Sequence, residues 1–91
     1  MPNEVHCAHI LVKTEKDAQA AVNRLSQGEK FSKVAGEVSL CPSRKRGGDL
    51  GTFGRGQMVK EFEQAAFLLQ KGQVSPIVKT QFGYHIIKRL E

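Results

Sequence analysis

The stretch from Glu4 to Lys13 reads EVHCAHILVK, and it constrains the fold more than any other segment. Its β-branched and apolar content predicts a strand. Successive strand side chains point to opposite faces, so Val5, Cys7, His9 and Leu11 share one face and His6, Ala8, Ile10 and Val12 share the other. Towards Val12 both faces are apolar, so this strand must be covered on both sides. With 91 residues there is one core to provide that cover, and residues 1–91 are expected to form a single domain.

The cover is legible as helices. Thr14, with Asp17 three residues on, reads as a cap, followed by Ala18, Ala21, Val22 and Leu25 at helical spacing and by Gly28 as the stop. Phe31, Val34, Ala35 and Val38 mark one face of a second helix. CPSRKRGG, from Cys41 to Gly48, is a loop by composition with room for a short helix after Cys41, and Arg44, Lys45 and Arg46 are its densest charge. Asp49 to Phe53 reads as a short strand, and Lys60 to Leu69 as a helix turning Phe62, Ala65, Ala66 and Leu69 inward. Val74 to Thr80 is strand-like but interrupted by Pro76, and Tyr84 to Leu90 is strongly strand-like, with Gln81-Phe82-Gly83 as a tight connection. The order strand, helix, helix, strand, helix, strand, strand predicts an α+β domain, a mostly antiparallel sheet of four strands covered by helices.

Composition excludes several classes. At 40% apolar and 25% charged residues, neither disorder nor a membrane span is indicated. The start, Met-Pro-Asn-Glu-Val-His, lacks the pattern of a signal peptide, so a cytoplasmic protein is expected. Cys7 and Cys41 are too few for a disulfide scaffold and lack metal-finger spacing, and both are expected to be free thiols. The formal charge of +5 permits weak attraction to nucleic acid or an anionic membrane, although such an excess also serves solubility alone.

The polar residues that could carry chemistry are His9, Cys41 and His85. A thiol with a histidine base could form a nucleophilic pair, and the three could be part of a zinc site. No helix N-terminus stands directly behind the thiol and no fourth ligand is evident, so no metal or other cofactor is expected. A histidine on a strand is also commonly a satisfied structural residue.

The wider pattern is more specific. HILVK (His9 to Lys13), GGDLGTFGRGQM (Gly47 to Met58), FEQAAF (Phe62 to Phe67) and TQFGYHII (Thr80 to Ile87) occur in that order. Together they resemble the parvulin family of peptidyl-prolyl cis/trans isomerases, over nearly the whole chain from Val5 to Leu90. The resemblance implies that His9 and His85 are the two histidines at the centre of the site, and Thr80 is a further candidate catalytic residue. Cys41 stands where the family carries Cys or Asp. Leu50, Met58 and Phe62 match the pocket for the substrate proline ring, and Thr80 and Phe82 match its edge. Gln57, Arg44, Lys45 and Arg46 are candidate rim residues. The histidines are expected to hydrogen-bond to each other across adjacent strands and to orient Cys41 or Thr80, without covalent chemistry.

The resemblance also implies proline-containing peptides and unfolded or partly folded proteins as partners. The basic loop that selects phosphorylated Ser or Thr in some parvulins is absent, because Lys13 runs directly into Thr14-Glu15-Lys16-Asp17. No phosphate requirement is therefore expected. A small, stand-alone, monomeric folding helper is the expected form. Two other functions remain open: a peptide-binding or holdase module using the same groove without turnover, and a basic adaptor for nucleic acid or membrane.

Overall fold

A computed structural model describes residues 3–91. β1 (Glu4–Val12) leads into α1 (Glu15–Ser26) and α2 (Phe31–Val38), then a short 3-10 helix (Pro42–Arg46), β2 (Asp49–Gly54), α3 (Lys60–Leu68), β3 (Val78–Thr80) and β4 (Gly83–Arg89). The strands form one sheet in the order β2-β1-β4-β3, and every neighbouring pair is antiparallel. The α+β class and the element order are those the sequence predicts, and the short helix after Cys41 forms.

Local chemistry explains the boundaries. The Thr14 hydroxyl accepts the Asp17 N–H at 3.1 Å, so α1 begins with one orphan donor satisfied. Arg24 near the end of α1 grips Glu29 through two hydrogen bonds of 2.9 and 2.7 Å and reaches Glu37 on α2 at 2.7 Å, tying the helix pair together.

Two apolar clusters lie on opposite faces of the sheet. Ala8, Ile10, Val12 and Ile86 pack against Ala18 and Ala21 of α1 and Phe31, Val34 and Ala35 of α2. Val5, Cys7 and Ile87 pack with Phe53 against Phe62 and Ala66 of α3, and Leu69 closes the end of this cluster. The alternation read along β1 thus sorts its residues between two cores. Ile10, Ile86 and Ile87 are fully buried, and each fully buried aliphatic side chain contributes about 1.5–3 kcal/mol.

One predicted element is shorter than expected. Val74 makes only an isolated bridge to Lys88, and regular pairing begins at Val78. Pro76 has no N–H to give a ladder. Ser75 fills the gap: its N–H donates to the Ile87 carbonyl at 2.7 Å and its hydroxyl accepts the Ile87 N–H at 3.0 Å.

Candidate active site

β1 and β4 place the histidines. In their register His9 lies opposite Ile87, and His85 lies opposite Leu11, so the two imidazoles are diagonal neighbours on one face. Their Nδ1 atoms are 3.0 Å apart. His85 Nε2 lies 2.7 Å from Thr80 Oγ1, which also accepts the Phe82 N–H at 3.1 Å. One proton lies between the two Nδ1 atoms, so the tautomers of the pair are locked together. Whichever way this relay runs, it ends at His9 Nε2, a buried nitrogen with no hydrogen-bond partner among the described residues.

Burial sets the charge state. Desolvation pushes the His9 pKa down from 6.5 to about 4, with the neighbouring His85 as a smaller contributor. Desolvation also lowers the pKa of His85. Both imidazoles are therefore neutral near pH 7.

In front of the histidines lies a cleft of about 240 Å³ lined by His9, Leu11, Cys41, Leu50, Met58, Val59, Phe62, Phe82 and His85. Phe62, on the first turn of α3, meets both imidazoles edge to face, with ring centroids 5.5 Å from His9 and 5.3 Å from His85. Phe53 packs behind it at 5.9 Å. Phe82, at the tip of the β3–β4 hairpin, is 62% exposed and forms an open wall of the cleft.

Cys41 is brought to the cleft by a backbone clasp on β1. Leu40 N–H donates to the Leu11 carbonyl at 2.8 Å, while the buried Ser39 hydroxyl accepts both Leu11 N–H and Cys41 N–H. The Cys41 thiol makes no hydrogen bond to either histidine among the described residues. The histidine relay therefore engages Thr80, not Cys41. Gly48 completes the corner: its carbonyl accepts the His9 N–H at 2.9 Å, and a Cβ there would lie 2.4 Å from the His9 carbonyl oxygen.

The sequence-predicted residues fall into three groups. His9, Cys41, Leu50, Met58, Phe62, Phe82 and His85 line the cleft, and Thr80 stands behind His85. Gln57 faces solvent, where its side chain accepts the Gly54 N–H at 2.6 Å. Arg44, Lys45 and Arg46 are exposed on the 3-10 helix and none lines the cleft; Arg46 borders a separate concavity beside Ala8 and Phe31, on the face covered by α1 and α2. Leu11 and Val59 line the cleft without having been singled out. The first was signalled by sharing a strand face with His9 and the second by following Met58. Ser39 acts through a clasp that depends on a tertiary contact, which no local pattern signals. Among the described residues no cluster of three His, Cys, Asp or Glu is placed to hold a metal ion, and both cysteines are free.

Comparison with known proteins agrees with this architecture. Residues 9–91 match the rotamase family described as the PPIC-type PPIASE domain. The chain is 56% identical over 86 residues to the foldase protein PrsA of Geobacillus kaustophilus, covering 93% of this chain and 31% of that protein. Its structure superposes on PrsA from Bacillus subtilis with a TM-score of 0.95 at 48% identity, over 98% of this chain and 35% of the other. The chain thus spans about a third of the length of these foldase relatives. It also matches NmPin, the parvulin of Nitrosopumilus maritimus, with a TM-score of 0.88 at 50% identity, over 100% of this chain and 99% of the other. The chain belongs to the parvulin, or PPIC-type PPIase, family of rotamases.

Proposed function

We propose that this domain accelerates cis/trans rotation about X-Pro bonds in peptides and incompletely folded proteins, with the His9–His85 cleft as its catalytic site. The observation that carries this reading is the joining of an apolar cleft to a neutral histidine pair. Rotation of an X-Pro bond must give up amide resonance, against a barrier of about 18–20 kcal/mol. The planar amide carries more charge separation than the twisted one. A site that excludes water therefore stabilises the twisted form relative to the ground state. Met58, Phe62 and Leu50 supply apolar surface for the pyrrolidine ring. With the ring held, the carbonyl on the other side of the bond is free to turn.

In this reading His9 and His85 act neutral, as a hydrogen-bonded pair at the wall of the cleft, and Cys41 shapes its mouth. The mechanism forms no covalent bond and moves no proton to the substrate. Arg44, Lys45 and Arg46 lie outside the cleft lining, which favours a substrate without a phosphate requirement. We read the working unit as a monomer in a reducing cytoplasm, in keeping with the two free thiols. Its basic surface contributes only weak, salt-screened contact with anionic partners.

Two-dimensional exchange NMR on short Ala-Xaa-Pro-Phe peptides at catalytic protein concentration tests the reading. Fast exchange that collapses in a folded Met58→Ala variant supports the isomerase and its pocket together. Peptide-induced shifts near His9 and His85 without faster exchange would instead make the domain a peptide-binding module. A strong gain for a phosphorylated over an unmodified Ser-Pro peptide would overturn the specificity assignment.

A further inference from the structure

β2 does not run straight past β1. His6 lies opposite Thr52 but Ala8 lies opposite Asp49, so Leu50 and Gly51 together face the single residue Cys7. This is a β-bulge, one extra residue on β2. Its effect on side-chain direction is large. In an unbroken strand Leu50 would follow Thr52, opposite His6, onto the face covered by α1 and α2. With the bulge, Leu50 packs instead beside Phe53 and Cys7 on the α3 face and lines the cleft.

Three residues hold the bulge. Gly51 takes a left-handed φ of +75°, with no atom of the described residues within 4 Å of where a Cβ would sit, so the glycine is required for its conformation and not for space. Asp49 Oδ1 accepts the Gly51 N–H at 2.7 Å and the His6 Nε2–H at 2.7 Å. The carboxyl is held below its ordinary range by that backbone hydrogen bond first and by His6 second. Two hydrogen bonds to one carboxylate oxygen thus fix the turn just before and after Leu50, from the sheet face opposite the cleft.

We propose that Asp49, braced by His6, is a positioning residue for substrate recognition, holding the β2 bulge that aims Leu50 into the proline cleft. The inference rests on the isomerase reading for its activity arm and on the geometry of β2 for its binding arm. Asp49→Ala removes the acceptor, while Asp49→Asn keeps an oxygen at the same place.

A double-mutant cycle with Leu50→Ala gives the test, read by peptide exchange rates and by the Leu50 methyl resonances during peptide titration. Thermal unfolding checks that each variant folds. The expected result is a loss on the order of tenfold for Asp49→Ala, comparable to one charge-assisted hydrogen bond. Asp49→Asn recovers most of that loss, and Asp49→Ala adds nothing once Leu50 is already Ala. The Leu50 methyls should respond to peptide in the parent protein and lose that response in Asp49→Ala. Additive losses, or undiminished activity in Asp49→Ala, would overturn the assignment. If the parent protein accelerates no exchange, the isomerase reading fails by itself. The methyl titration still decides the positioning role, because an unchanged Leu50 response in Asp49→Ala refutes it.

Discussion

His9 and His85 meet through their Nδ1 atoms at 3.0 Å, one on each of the two central strands, with their rings inclined by only 24°. The contact joins residues 76 apart in sequence. It leaves room for one proton between the two nitrogens, so a second proton on the pair would set two donors against each other.

This predicts a pH dependence of stability with a definite sign. His9 has a folded pKa of about 4 against 6.5 when exposed, so between these values the unfolded chain binds more protons than the folded one. Stability is therefore fully present above about pH 6.5 and falls as the pH drops towards 4. The loss from His9 is about 3 kcal/mol at about 1.4 kcal/mol per tenfold change in proton affinity, and the lowered pKa of His85 acts in the same direction. Urea unfolding at pH 7.5 and pH 4.5 measures it. In His9→Leu the dependence should be markedly weaker, and an unchanged profile would remove His9 as its source.

Thr80 is expected to matter through its hydroxyl alone. That oxygen is 2.7 Å from His85 Nε2 and accepts the Phe82 N–H, so it fixes both the second imidazole and the hairpin tip. Thr80→Val keeps the shape and leaves buried polar groups unpaired, at a cost of about 1–3 kcal/mol. Thr80→Ser should restore the network. Chemical denaturation together with ¹⁵N spectra of the imidazoles checks both, and equal behaviour of Val and Ser at this position would show the hydroxyl to be dispensable.

Cys41→Asp should retain substantial isomerase activity. The thiol is held at the cleft by the backbone clasp at Ser39 and Leu40 and takes no part in the histidine relay. A folded Cys41→Asp protein without exchange activity would make the thiol chemically necessary.

Gly48→Ala should be among the most damaging small substitutions. The residue has a φ of +87°, and its new methyl would lie 2.4 Å from the His9 carbonyl oxygen. Strain in that backbone region costs about 1–3 kcal/mol before the clash is counted. Because Gly48 also accepts the His9 N–H, the histidine resonances should shift along with the fall in melting temperature. Parent-like stability would mean that the corner can relax away from β1.

Much of this molecule follows from the order of its residues. Alternation along Glu4–Val12 and the helical spacing of Ala18, Ala21, Val34 and Ala35 reflect periodicities of two and 3.6 residues, which are local properties of the backbone. Thr14 announced the start of α1 in the same way. The family resemblance named most of the residues that line the cleft, though not Leu11 or Val59, because the family pattern carries tertiary information that propensity lacks.

The tertiary structure decided how these residues are brought together. The sheet order β2-β1-β4-β3 brings His9 and His85 together, and no local pattern contains that adjacency. Ser75 replaces a ladder partner where Pro76 cannot supply one. Leu50 reaches the cleft only because β2 gains a residue against β1, and a count of alternating positions along β2 would have turned it the other way. Local sequence sets what each segment can form. Register, bulges and diagonal contacts depend on what lies across the sheet, and those partners are distant in the chain.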